Sequence, residues 1–182
     1  MGKHHTDSKD RMQEAFLELY AQKPLSSITV KEIASMACVN RSTFYLYYND
    51  IYALYEDVEK TLIDNILPNI DIFLGFLDHQ NDLTPLIQEI NFYHENYYYV
   101  KPFLLSDTNF SRKIKDAIKN KIFSQLNLEK NKTNDYICEY VTSAHFGIIS
   151  YYLCGENEIS IAEVVNLLSD IFLNGPYKML FK

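Results

Sequence analysis

Glycine and proline are scarce, with five of each in 182 residues, and stretches that alternate polar and apolar residues are few. Both shortages disfavour a sheet built of hairpins and leave helices as the natural element, so the fold class expected is all-α. Cysteine is scarce too. Cys38, Cys138 and Cys154 stand alone, without the CxxC or Cys/His spacing of a zinc site, and an odd number with no secretory leader suits reduced thiols in the cytoplasm. No apolar run approaches the roughly twenty residues that span a bilayer, and the start, MGKHHTDSKD, lacks the apolar centre of a secretion signal. A cytoplasmic protein with no membrane partner is expected. His4-His5 reads as part of a solvated terminus rather than a metal pair. There is no nucleophile elbow, glycine-rich phosphate loop or HExxH pair, so the chain does not read as an enzyme. No catalytic residue, cofactor or metal site is expected.

What the chain does have is a 47% hydrophobic share, enough for a core, and a length that fits either one domain or a small domain joined to a larger one. The net charge of −7 argues against indiscriminate nucleic-acid binding, but its distribution is uneven. Residues 1–50 hold six Lys/Arg and six Asp/Glu, so the whole negative excess lies beyond them.

The stretch TVKEIASMACVNRSTFYLYYNDIYAL, Thr29 to Leu54, organises the rest. Thr29 with Glu32 three residues on forms a capping box that starts a helix at about Val30. Ile33, Ala34 and Ala37 recur at helical spacing, and the small alanines let a second helix approach closely. Cys38-Val39-Asn40 is the break, and Asn40 can cap a helix in which Phe44 and Tyr48 turn inward. Arg41, Ser42, Thr43, Tyr45 and Tyr47 are left outside. One cation, several hydroxyls and phenolic rings are suitable donors for base edges and phosphates in a major groove. On residue types alone an ordinary helical hairpin is an equal reading.

The order of the residues separates the two. T-V-x-x-I-A-x(4)-V-N-R-S-T-F-Y-x-Y-Y-x-D-x(3)-L closely resembles the N-terminal signature of the tetracycline-repressor (TetR) family of transcriptional regulators, over roughly residues 8 to 60. The N-R-S-T-F-Y hexapeptide also resembles one branch, some members of which control dihydroxyacetone kinase operons. The resemblance implies a three-helix DNA-binding domain over residues 1–54 and a helical regulatory and dimerisation domain over 55–182. It implies that Thr29 and Lys31 touch backbone phosphates, and that Asn40, Arg41, Ser42, Thr43, Tyr45 and Tyr47 supply the recognition helix. It further implies a homodimer on a palindromic operator in double-stranded DNA, more often a repressor than an activator, modulated by a small-molecule effector. Two departures stand out. Ile51 replaces the usual lysine that meets a phosphate, and Pro24 with Ser26-Ser27 replaces a glycine-containing turn. Ile51 and the acidic body motivate an alternative: a helical interaction protein of the same fold, acting through a protein partner with weak or lost DNA binding.

Elsewhere, a first helix is expected from Ser8 to about Gln22, and a longer one from Asp50 to Pro68, where proline disfavours continuation. His79-Gln80-Asn81-Asp82 reads as a turn. Thr84-Pro85 restarts a helix, and Pro102 and Asp107 punctuate the chain. Arg112, Lys113, Lys115, Lys119 and Lys121 on the next helix read as a solvated face rather than a DNA contact. Thr133 is expected to cap a helix ending near Gly155, and Ser160 with Glu163 to box the last one. Tyr93, His94, Tyr97, Tyr98, Phe103 and His145 are either the lining of an effector pocket or ordinary core; His94-Glu95 and His145 are the only residues in helices that could argue for catalysis. Tyr140, Ala144, Gly147, Ile148 and Tyr151, with Val164, Leu168 and Ile171, form apolar stripes that suit the chain's own core or a second copy equally well; the TetR resemblance implies that they pair with a second copy.

Overall fold

The computed structural model describes residues 7–78, 82–106, 108–155 and 159–175, and every regular element among them is a helix. The chain divides into two units, Met1–Leu62 and Ile63–Lys182. The division falls inside a helix and further along it than residue 54. His4, His5, Asp107 and the His79–Asn81 stretch lie outside the described residues.

In the first unit α1 spans Ser8–Tyr20, α2 Val30–Met36 and α3 Arg41–Tyr47, and α4 begins at Ile51. A single 3-10 turn, Leu25–Ser27, carries the chain from α1 to α2 where a glycine turn was missing. Met12, Phe16, Ile33, Phe44, Leu54 and Val58 are all but solvent-free and form the core, with Ala34 and Ala37 allowing the close crossing of α2 and α3. Ile51 belongs to that core at 9% exposure, so the departure from lysine puts an apolar side chain inside rather than a cation at the surface. Asp50 closes the start of α4 by accepting the Ala53 amide at 2.9 Å.

The second unit holds the rest of α4, which runs to Asp78, then α5 (Thr84–Glu95), α6 (Tyr97–Ser106), α7 (Thr108–Gln125), α8 (Lys132–Cys154) and α9 (Ile161–Asn174). Both internal prolines overturn an expectation: α4 continues through Pro68 and α6 through Pro102. Proline removes one helix hydrogen bond, the one to the carbonyl four residues back, and side chains bond to other carbonyls around Pro68. Asn69 Nδ2 donates to Asn65 O at 3.1 Å, and Lys121 Nζ to Leu67 O at 2.8 Å. Lys121 also pairs with Asp71, while Lys119 bridges α7 to Asp135 on α8 at 2.9 Å and Lys115 reaches Glu139 at 3.6 Å. The basic residues of α7 expected to be merely solvated are, at these three positions, fastened to neighbouring helices.

Helix ends follow local chemistry. Ser160 and Glu163 form the expected box. Asn131 rather than Thr133 caps α8, accepting the Asn134 amide at 2.9 Å, and Leu83 rather than Thr84 occupies the cap position of α5, with Pro85 in its first turn. No helix among the described residues is long and apolar enough to cross a membrane.

Candidate nucleic-acid interface

The turn that aims α3 is made by a residue in an uncommon conformation. Cys38 has φ +53°, and the Val39 amide reaches back to Ala34 O at 2.9 Å, the six-residue closure that ends a helix through a left-handed residue, usually glycine. α2 starts as firmly as it ends. Thr29 Oγ1 accepts the Glu32 amide at 3.3 Å, and Glu32 Oε2 accepts the Thr29 amide at 3.0 Å. Lys23 Nζ lies 2.6 Å from Glu32 Oε1, and that hydrogen bond, then those from Thr29, hold the carboxyl down at about 2.

α3 is anchored by Phe44 and Tyr48, both buried and 5.6 Å apart between ring centres. Tyr48 Oη donates to Asp57 Oδ2 at 2.8 Å, and the same carboxylate takes Gln13 at 2.8 Å and Lys9 at 2.9 Å. α1, the end of α3 and α4 therefore meet at one acceptor. Burial works against the Asp57 charge, but the hydrogen bonds from Lys9, Tyr48 and Gln13 outweigh it and keep the carboxyl below its ordinary range.

What this scaffold presents is the set read from the sequence. Thr29, Lys31, Asn40, Arg41, Ser42, Tyr45 and Tyr47 are exposed and Thr43 is half-exposed. Asn40 occupies the cap position of α3 without a side-chain cap bond, which leaves its amide outside the helix; Tyr47 Oη donates to Asp7 at 3.3 Å. Lys31 and Arg41 make no ion pair among the described residues. Leu46, absent from the set expected to face DNA, is at 83% exposure the most open of the large apolar residues described in this unit. The signal was there: Leu46 stands two residues from each of the inward-facing Phe44 and Tyr48, so it points the opposite way.

Residues 14–58 match the family model described as bacterial regulatory proteins, tetR family. The chain carries the N-terminal domain of the TetR family. A curated relative, the HTH-type transcriptional regulator YxbF of Bacillus subtilis (strain 168), is 38% identical over 56 residues, a match that spans 31% of this chain but only 15% of that protein. Among solved structures, the dihydroxyacetone kinase operon activator DhaS superposes with a TM-score of 0.61 at 20% identity, covering 89% of this chain and 94% of that one. A TetR regulator from Streptococcus agalactiae 2603V gives 0.65 at 17%, covering 90% and 92%. These likenesses give the TetR-type fold for nearly the whole chain. The matched family and relatives are regulators, not enzymes.

The second unit brings together only part of what was expected of it. Tyr93 and His145 are buried and border an apolar void of about 10 Å³, closed in by Ile66, Val100, Ile114, Phe146 and others, room for about one water. Phe103 is fully buried against Phe110, with ring centres 5.1 Å apart. His94 is exposed, and Tyr97 is half-buried and hydrogen-bonded by Lys101; neither lines that void, and the Tyr98 side chain lies outside the described residues. Glu89, fully buried, sits 2.7 Å from His145 Nε2. Burial, then the neighbouring Glu89 charge, pushes the Tyr93 phenol well up. Glu95, like His94, faces solvent.

On α8 and α9 the surfaces divide. Tyr140, Gly147 and Tyr151 are exposed, and Ala144 and Ile148 half-exposed, with Tyr136 and Ile137 extending the same apolar surface. Val164 and Leu168 are instead buried to 1% and 0%. α9 packs on α5 within its own unit, so these two residues serve the chain's own core and are not available to a second copy; Ile171 keeps part of its surface.

Proposed function

We propose that this chain is a sequence-specific DNA-binding transcriptional regulator, working as a homodimer on a palindromic operator, repressing, and modulated by a small-molecule effector. One observation carries the reading. A short helix locked by Phe44, Tyr48 and Asp57 turns Arg41, Ser42, Tyr45 and Tyr47 to solvent, and Lys31 and Arg41 have no carboxylate partner among the described residues. Such a surface places phosphate contacts beside groups able to read base edges.

The homodimer is supported by α8. Tyr136, Tyr140, Gly147 and Tyr151 recur on one stripe, and a Cβ added at Gly147 would meet nothing within 4 Å. The protomer's own packing gives no reason for glycine there, whereas a second α8 approaching closely does. A two-fold pair uses the same patch twice and matches an inverted repeat. An effector of ordinary size needs several hundred Å³, so the void at Tyr93 and His145 must widen to admit one. The solved relative DhaS is named an activator; the sign assigned here is tested by whether a reporter behind the bound promoter rises when the protein is removed.

Selection of bound duplexes from a random pool tests the whole reading. We expect an inverted repeat whose half-sites lie about one helical turn, roughly 10 base pairs, apart. No enrichment over random duplex at moderate salt would overturn it. The alternative, an interaction protein with lost DNA binding, draws on the burial of Ile51 at a position where the TetR resemblance implies a phosphate-binding lysine. A stoichiometric partner on purification, with Arg41→Ala leaving function intact, would favour that alternative.

A further inference from the structure

The exposed leucine of α3 is the one group on the reading face that hydrogen bonding does not explain. Residues on an α-helix advance by about 100° each, so Leu46, two positions after Phe44 and two before Tyr48, lies about 180° from the direction in which those rings are buried. At 83% exposure it is the most open of the large apolar side chains described in this unit. One turn earlier Ser42 and Thr43 lie on either side of it; Arg41 with Tyr45, and Tyr47, stand on the flanks. Of the acidic side chains near this surface, Glu32 is engaged with Lys23 and the Thr29 amide and Asp50 with the Ala53 amide, while Asp7 accepts from Tyr47 on the flank. The leucine is therefore a single apolar tip among hydroxyls, phenols and the Arg41 cation, not part of a broad apolar patch of the kind a protein partner covers.

Resting on the proposed DNA-binding function, we propose that Leu46 reads thymine in each half-site by packing on its 5-methyl group. When α3 lies in a major groove, the side chain opposite the helix's buried edge meets the groove floor, and the flanking residues meet the walls. Of the groups that base pairs display there, the thymine methyl is the apolar one; the others are hydrogen-bond donors and acceptors that a leucine desolvates without satisfying. Leu46 accordingly favours A·T or T·A at the position beneath it and disfavours G·C and C·G, while Arg41, Ser42 and Thr43 supply polar readout on either side.

The test replaces thymine by deoxyuridine, one position at a time, in the duplex recovered by the random-pool selection. This removes a methyl and leaves base pairing and the phosphate backbone alone. Wild-type protein is expected to bind one substituted position per half-site about four-fold more weakly, the value of one buried methyl-sized group. Leu46→Ala should bind thymine and deoxyuridine duplexes alike, and Leu46→Met should restore most of the difference. Wild-type binding that is indifferent to deoxyuridine everywhere overturns the assignment while leaving the DNA-binding function standing, as does a Leu46→Ala variant that keeps the full thymine preference. If wild-type protein enriches no sequence at all, the DNA-binding reading fails and this assignment falls with it.

Discussion

The phenol of Tyr48, the residue that closes α3, donates a 2.8 Å hydrogen bond to Asp57 on the second turn of α4. Burial, and then that bond to the carboxylate, pushes the phenol well above its ordinary range, so it remains a donor at any pH the protein meets. Tyr48→Phe removes this bond and leaves Lys9 and Gln13 on Asp57, at an expected cost of about 1 kcal/mol in urea unfolding. Asp57→Ala strands three donors at once and should cost more, about 2 kcal/mol. Equal losses would mean that the carboxylate is not the shared anchor.

Acid should loosen the start of α2. Glu32 is held at about 2 against an ordinary 4.5, so between those values the unfolded chain binds the proton and the folded one does not. Stability therefore rises with pH across that window: the contribution is complete above about 4.5 and disappears as pH falls through about 2. Asp57 acts in the same direction. Comparing stability curves of the wild type and Glu32→Gln checks this, since the gap between them should close as pH drops from about 5 to 2 and stay constant above about 6.

Lys31 and Arg41 are both exposed cations, yet they should fail differently. Lys31→Ala is expected to reduce the slope of log affinity against log salt by about one unit, evenly across sequences. Arg41→Ala should cost about ten-fold or more on the selected site and relax preference at one base pair. Titrations at several salt concentrations on selected and scrambled duplexes separate the two. Identical behaviour of the variants would remove the distinction between phosphate and base contact.

Cys38 adopts φ +53° at an exposed turn, a conformation that costs a residue with a Cβ about 1–2 kcal/mol relative to glycine. Part of that is offset by the greater freedom of glycine in the unfolded chain, so Cys38→Gly should stabilise the protein by about 0.5–1 kcal/mol and raise its melting temperature. Cys38→Val should do the reverse. A glycine variant no more stable than the parent would show that the thiol contributes something its exposure does not suggest.

The parts of this molecule that could be read from its sequence are those set by neighbours a few residues apart. Both capping boxes, Thr29 with Glu32 and Ser160 with Glu163, are written within four residues and appear as expected. So does the inward pair Phe44 and Tyr48. Pro68 was misleading because contacts that hold α4 beside it, such as Lys121 Nζ on Leu67 O, come from 54 positions away. Val164 and Leu168 were misleading for another reason: an apolar helical stripe has the same spelling whether it meets its own core or a second chain. Leu46 was passed over because outward residues were sorted by polarity rather than by direction. The Glu89–His145 pair, 56 positions apart, had no local signal.

The tyrosine surface of α8 also makes the protein its own optical reporter. The chain has fifteen tyrosines and no tryptophan, so phenol emission is not drained by energy transfer to an indole. Tyr136, Tyr140 and Tyr151 stand 78%, 60% and 85% in water, and any event that dries that stripe changes the surroundings of three strong emitters together. Unlabelled protein, diluted or concentrated in a cuvette, would register the proposed pairing of α8 in the ultraviolet.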